Sequence, residues 1–215
     1  MIIGSIRQIS GIIWDWNGTL LNDTELAVES MNRVLGKRGL PALTVDRYKS
    51  VFTFPVKEYY QLVGFDFEKE PFEIPAHEFI EYYNKNVWDC SLQEYAVEVL
   101  NHVKNLGIPQ YMLSAMMQVT LDQCLEHYRI GHFFEQVSGL GDHYANSKLD
   151  AGREMIGKLH LKPEDLLLVG DTVHDFDVAT ELGCSCILVS HGHQSYERLR
   201  NTGVPVIDDL TVLLN

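Results

Sequence analysis

The sequence predicts an α/β protein: a doubly wound parallel sheet interrupted by an inserted all-helical cap domain. Three observations carry that expectation. From residue 92 onward, short apolar runs alternate with helix-patterned segments. Such alternation implies right-handed crossovers and a sheet covered on both faces. One further apolar run, Gly11-Ile12-Ile13-Trp14-Asp15, stands far upstream of these. Between the two, residues 41–91 show helical patterning with proline and glycine punctuation, dense aromatics and no strong strand. The expected division is a core of residues 1–22 and 92–215 and a cap of residues 23–91.

The elements follow in order. The run 11–15 is a buried strand ending in an acid, and the loop Trp16-Asn17-Gly18-Thr19 comes next. Asn22, Asp23 and Thr24 are suited to cap a helix whose apolar positions are Leu26, Val28, Met31, Val34 and Leu35, before Gly36 and Gly39 loosen it. After the helical insert, a helix over 93–105 ends at Gly107 and leads to a strand over 109–113, followed by Ser114. A helix over 116–128 precedes a strand over 136–139, and a helix over 149–159 precedes the strand 166–169, which runs into Gly170-Asp171. A helix over 175–182, a strand over 186–189, a short helix over 195–200 and a last strand–helix pair complete the chain.

Composition narrows the function classes. Hydrophobic residues at 46% and charged residues at 22% are those of an ordinary globular protein. A net charge of -13 argues against nucleic-acid binding, which needs clustered Lys and Arg. It leaves a phosphorylated substrate open, because a metal ion and a local cation reverse the field inside a pocket. Four cysteines in 215 residues do not read as a disulfide scaffold. The start MIIGSIRQIS lacks a basic opening and a cleavage site, and no stretch reaches the roughly 18 apolar residues a membrane span needs. A cytoplasmic protein without membrane partners is expected.

Ligands of an open parallel sheet bind beyond the carboxyl ends of its strands. Asp15, Ser114, Lys148 and the pair Asp171 and Asp175 all fall at such ends or in the loops that follow. A nucleophilic carboxylate, a hydroxyl, an ammonium and two metal-capable carboxylates suit attack on a phosphoryl group, with charge neutralised by a cation and the lysine. Oxygen ligands with room for water favour Mg²⁺ over zinc.

These residues resemble the four motifs of the haloacid dehalogenase superfamily. Asp15-Trp16-Asn17-Gly18-Thr19-Leu20 is similar to the first, Ser114 after its strand to the second, and Lys148 in Ser147-Lys148-Leu149-Asp150 to the third. Gly170-Asp171-Thr172-Val173-His174-Asp175 is similar to the fourth. Their order and spacing span nearly the whole chain. The helical insert sits where the phosphoglycolate phosphatase-like subfamily carries its cap. The resemblance implies a Mg²⁺-dependent hydrolase of a small phosphorylated metabolite, with Asp15 as nucleophile and metal ligand. It further implies that the Asn17 carbonyl, Asp171 and Asp175 complete the metal set. Ser114 and Lys148 would hold the phosphoryl oxygens, aided by backbone N–H groups after Asp15 and, at Ala115, after Ser114. Lys57 and Tyr59 are the candidate cap residues facing substrate.

Asn17 departs from the family pattern, in which an acid here protonates the leaving group and then activates water. An amide shuttles no proton, and general acid–base catalysis contributes about 10²–10⁴-fold. Three routes remain open: a good leaving group such as an acyl phosphate, another proton carrier such as His174, or a different reaction. Phosphonate or haloacid hydrolysis and non-catalytic binding of a phosphometabolite are the alternatives, the first requiring a cap lysine such as Lys49 or Lys57. The remaining candidates have plainer readings. Cys184 and Cys186 read as buried thiols, His191 and His193 as loop residues, and Asp177 as a helix-surface acid.

Overall fold

A computed structural model describes residues 9–141 and 147–214. The reading of the first eight residues therefore lies outside the described part. The strands are β1 (Gly11–Trp14), β2 (Leu21–Asn22), β3 (Ser91–Leu92), β4 (Gln110–Met117), β5 (Gln136–Leu140), β6 (Leu166–Gly170), β7 (Ser185–Val189) and β8 (Val206–Ile207). The helices are α1 (Thr24–Gly36), α2 (Val45–Val51), α3 (Val56–Leu62), α4 (Glu73–Asn86), α5 (Ala96–Asn105), α6 (Gln118–His127), α7 (Lys148–Lys158), α8 (Val173–Leu182) and α9 (Tyr196–Leu199).

Six strands form one parallel sheet in the order β5-β4-β1-β6-β7-β8. The expected doubly wound sheet is present, and β1 is its switch point, flanked by β4 on one side and β6 on the other. Both strands at the centre, Gly-Ile-Ile-Trp and Leu-Leu-Leu-Val-Gly, are buried throughout. A parallel strand covered on two faces reads as a continuous apolar run for that reason. Side chains still alternate. Ile12 and Trp14 join the cluster under α5 and α6, whereas Ile13 joins the cluster under α7 and α8. The Trp14 indole donates to Gln110 Oε1 at 3.0 Å, and Gln110 Nε2 donates to the Leu100 carbonyl at 2.9 Å. That buried clasp fixes β1 against β4 and α5.

Helices α1–α4 lie between β2 and β3, and much of their apolar surface packs into a third cluster built on Met31, Leu35, Tyr48, Tyr59 and Tyr60. The insert is helical, as expected. Its two ends are joined by an antiparallel pair, Leu21 opposite Leu92 and Asn22 opposite Ser91, which sequence patterning did not foresee. Two-residue strands carry no readable period.

The structure differs from expectation at β4. The strand does not stop before Ser114 but continues to Met117, pairing Met117 with Leu140 after a register shift beyond Leu113. A glycine permits this: a Cβ on Gly139 would stand 2.7 Å from the Met116 carbonyl oxygen. The last expected helix is a 3-10 turn over Leu210–Leu214. No helix among the described residues is long and apolar enough to cross a membrane.

Candidate active site

Asp15 is the first residue after β1, and its N–H still donates to the Val169 carbonyl of β6 at 2.9 Å. Its carboxylate is therefore anchored where the strand order reverses. Asp171 directly follows β6, and Asp175 sits in the first turn of α8. A reciprocal capping box sets that turn: Thr172 N–H and Oγ1 donate to Asp175 Oδ2 at 3.0 and 2.6 Å, and Asp175 N–H returns to Thr172 Oγ1. Lys148 is the first residue of α7, whose start is held by the capping box of Ser147 and Asp150. Its ammonium reaches across the sheet end to Asp15 Oδ1 and to Asp175 Oδ1, the latter at 2.5 Å.

Carboxylate oxygens of Asp15, Asp171 and Asp175 all lie within 4.8 Å of one another. All three carboxyl groups are buried, with Asp171 and Asp175 1% exposed. One lysine cannot neutralise them, and the titration pattern reflects it. Burial lifts Asp15 to about 6 against the opposing charge of Lys148, and Asp175 adds to the rise. Burial likewise lifts Asp171 well above the carboxylate range, with His193 opposing. Burial works against Asp175 too, but there the Lys148 ammonium prevails and its value falls. Hard oxygen donors with excess negative charge are the donor set a small divalent cation takes, so these residues fit Mg²⁺.

Close backbone packing shapes the site. Gly18 has φ +75°, and a Cβ there would lie 2.2 Å from Asp171 Oδ2. A Cβ on Gly192 would lie 2.1 Å from the same oxygen. Only bare backbone fits on that flank of Asp171. Thr19 donates to Asp15 Oδ2 at 2.9 Å, and His191 Nε2 meets the Thr19 carbonyl at 3.2 Å.

The Asn17 amide sits in a buried network. Its Nδ2 donates to Asp23 Oδ2 at 2.9 Å and to Tyr83 Oη at 2.8 Å. Tyr83 Oη donates to Asp23 Oδ2 at 2.5 Å, and Gly18 N–H donates to Asp23 Oδ1 at 2.8 Å. His193 Nε2 completes the set 3.2 Å from Asp23 Oδ1, and its Nδ1 meets Tyr48 Oη at 2.9 Å. Asp23 occupies the N-cap position of α1, as expected, yet its side chain makes no capping bond. It turns inward and pairs with His193 instead. Sequence reasoning missed both residues as parts of the site. An aspartate before a helix is read as a cap by default, and its partner lies 170 positions away.

A cavity of about 380 Å³ opens over these carboxylates, lined by Asp15, Asn17, Ala115, Lys148, Asp171, Asp175 and His193 from the core and by Tyr48, Tyr59 and Tyr83 from the insert. Of the expected site residues, Ser114 is fully buried inside β4, its Oγ accepting from Met116 N–H at 3.0 Å, and is not in the lining. Tyr59 lines the cavity; its hydroxyl is buried without a hydrogen-bond partner among the described residues. Lys57 does not line it. Lys57 is exposed, with its ammonium 5.5 Å from the centroid of the Phe67 ring. Two residues along a helix turn about 200°, so Lys57 and Tyr59 could not share a face of α3. Lys49 is also outside the lining and donates to the His191 carbonyl at 3.0 Å. His174 is at the cavity wall, stacked on Phe54 with centroids 4.5 Å apart. The four cysteines are free thiols, Cys186 buried and Cys184 partly so, and among the described residues the acidic trio is the one cluster suited to a metal.

The fold and site together are a Rossmann-like parallel α/β sheet with three buried carboxylates and a lysine gathered at its switch point. The pattern of the haloacid dehalogenase-like hydrolase family matches residues 12–189, and the chain belongs to that family. It is an enzyme, a hydrolase, with phosphatases among its relatives. It is 26% identical over 221 residues to a phosphoglycolate phosphatase of Vibrio cholerae, covering 97% of each chain. It is 25% identical over 198 residues to the tyrosine-protein kinase PtkA of Mycobacterium tuberculosis, covering 91% of this chain and 67% of that one. Among solved structures, a haloacid dehalogenase-like hydrolase from Streptococcus pneumoniae superposes with a TM-score of 0.80 at 20% identity, covering 94% of both chains.

Proposed function

We propose that this protein is a Mg²⁺-dependent phosphohydrolase of small phosphorylated molecules, acting through an aspartyl-phosphate on Asp15. The observation that carries the reading is the convergence of Asp15, Asp171, Asp175 and Lys148 at the floor of one cavity. Asp15, Asp171, Asp175 and the Asn17 carbonyl would hold the cation, which when bound offsets negative charge on the phosphoryl oxygens and keeps the carboxylates ionised. Asp15 attacks phosphorus; the bond to the leaving oxygen breaks and its electron pair departs with that oxygen. Lys148 holds the Asp15 carboxylate in place and balances the charge of the transferred group; the Ala115 N–H would be a further donor, since Ala115 lines the cavity, with Ser114 supporting that strand end. Water then cleaves the acyl phosphate, returning the carboxylate and releasing phosphate.

Hydrolysis of a carbon–phosphorus bond through a cap lysine is disfavoured, because neither Lys49 nor Lys57 lines the cavity. The insert, residues 23–91, is the cap in this reading, and β2 with β3 is its hinge. The strongly negative net charge supports a small-molecule substrate over nucleic acid, and the free cysteines suit a reducing cytoplasm.

The test is phosphate release from acetyl phosphate and p-nitrophenyl phosphate with Mg²⁺, for the parent and Asp15→Asn. Loss of the nucleophile should lower kcat by about 10⁴-fold or more. Equal turnover by Asp15→Asn would remove the assignment.

A further inference from the structure

The cavity does not end at the carboxylates. It continues into the insert between α1, α3 and α4, where its walls are Met31, Tyr59, Tyr60, Phe72, Ala76 and Phe79. The two ends differ in kind. All the ionisable acids and imidazoles of the lining sit at the core end or at Asp23, and the inner end is aromatic and aliphatic. The described lining contains no arginine and one lysine, Lys148, already held by Asp15 and Asp175. His193 is likewise held, by Asp23 and Tyr48. A substrate whose organic part carries a carboxylate or a second phosphate would leave that charge among aromatic rings without a partner, a costly burial. A substrate whose organic part is apolar meets matching walls. Apart from Asp23, the polar side chains that the insert adds to the lining are neutral: Tyr48, Tyr59, Tyr60, Tyr83 and Asn84.

The Asn17 network points the same way from the reaction's side. The amide has no proton to give. Asp23 accepts from Asn17, Gly18 and Tyr83 and pairs with His193, so its carboxylate is committed to holding the loop. The leaving oxygen has to depart with its electron pair and no proton from this side chain.

We infer that the substrate is the phosphate of a hydrophobic group joined through a weakly basic oxygen, an aryl phosphate or a hydrophobic acyl phosphate, and not a phosphorylated hydroxy acid or nucleotide. This rests on the phosphohydrolase reading above. The P–O bond breaks as Asp15 bonds to phosphorus, and the phenolate or carboxylate leaves with the electron pair. Water then attacks the aspartyl-phosphate; both of its protons end on the released phosphate, and Asp15 is regenerated as a carboxylate.

The experiment measures kcat/KM by phosphate release with Mg²⁺ on the full chain. The substrates are acetyl, butanoyl, hexanoyl and benzoyl phosphate; methyl, hexyl and phenyl phosphate; and phosphoglycolate and AMP. Each methylene buried in the cavity should raise kcat/KM roughly fourfold until it is full, and an aromatic ring roughly 10- to 100-fold over a methyl group. Phenyl phosphate should exceed hexyl phosphate, and the ratio of benzoyl to phenyl phosphate distinguishes the acyl from the aryl source. Ala76→Leu should lower the hexanoyl-to-acetyl ratio, read within one protein so that partial unfolding cancels. A flat series, an unchanged ratio, or phosphoglycolate or AMP as the fastest substrate overturns the inference. If no compound releases phosphate, the phosphohydrolase reading fails by itself. Calorimetric binding of phenylphosphonate against phosphonoacetate with Mg²⁺ then decides the cavity's preference: tenfold tighter phenylphosphonate upholds it, and the reverse order overturns it.

Discussion

The Asn17 amide commits its two N–H bonds to Asp23 and Tyr83, and the acceptor character of Asp23 is what requires an amide at position 17. A carboxylate there would face another carboxylate at hydrogen-bonding distance. Asn17→Asp is therefore expected to cost about 1–3 kcal/mol of stability, and one acid of the pair keeps a proton. A raised folded pKa stabilises at low pH and is lost as pH rises, so the deficit relative to the parent should widen between pH 5 and pH 8 in urea unfolding. The Asp23–His193 pair has the complementary signature. Burial lowers His193, yet the Asp23 carboxylate outweighs it and raises the imidazole to about 9. Burial raises Asp23, but the His193 charge prevails and its value falls. The stability from His193 is then whole below its ordinary value of about 6.5 and fades as pH climbs through about 9; the Asp23 share is lost only as pH falls below the carboxylate range. His193→Gln should cost about 3 kcal/mol at pH 6, with the gap closing toward pH 10 by the same measurement. Asp15, Lys148, Asp171 and Asp175 were legible in the sequence because each follows a strand end or opens a helix. Asp23 and His193 were not, because their partnership exists only once the insert closes on the loop after β7.

At the scale of elements, the buried runs of β1 and β6 announced themselves by having no polar alternation, whereas the capping boxes at Ser147 and Thr172, which start α7 and α8 one and two residues ahead of the expected 149 and 175, emerged only from the structure. The far end of β4 was hidden, since Ser-Ala-Met-Met has no strand-specific pattern and is held extended by β5. Gly139 is the tight point of that pairing. A Cβ there would meet the Met116 carbonyl oxygen at 2.7 Å and Gln118 Cα at 2.9 Å, all backbone with nowhere to move. Gly139→Ala should therefore destabilise the fold by about 1–3 kcal/mol. On the phosphohydrolase reading it should also slow phosphate release by displacing Ala115, checked by calorimetric melting alongside phosphate release. The β2–β3 pair escaped notice for a different reason. Its paired residues are 71 and 69 positions apart, and two residues per strand leave nothing for periodicity to register.

Across the whole molecule, the insert is fastened to the core by more than the β2–β3 pair. Ser195 N–H donates to the Lys49 carbonyl at 3.1 Å, Gln194 Nε2 donates to the Phe52 carbonyl at 2.9 Å, and Tyr48 meets His193. Which aromatics of the insert face inward was not readable from composition, because the facing follows from how α1–α4 pack on one another. Gly18 and Gly192 wall one flank of Asp171 with bare backbone, Gly170 presses on Asp175, and Lys148 covers the junction of Asp15 and Asp175. On the phosphohydrolase reading proposed above, an ion and a phosphoryl group would share this cavity with the anion seated over the ion, which predicts an order of entry: ion first, anion second, and departure in reverse. A chelator should strip the resting enzyme quickly but lag when inorganic phosphate is saturating, and stopped-flow recording of ion release at several phosphate concentrations shows whether the lag lengthens as occupancy grows.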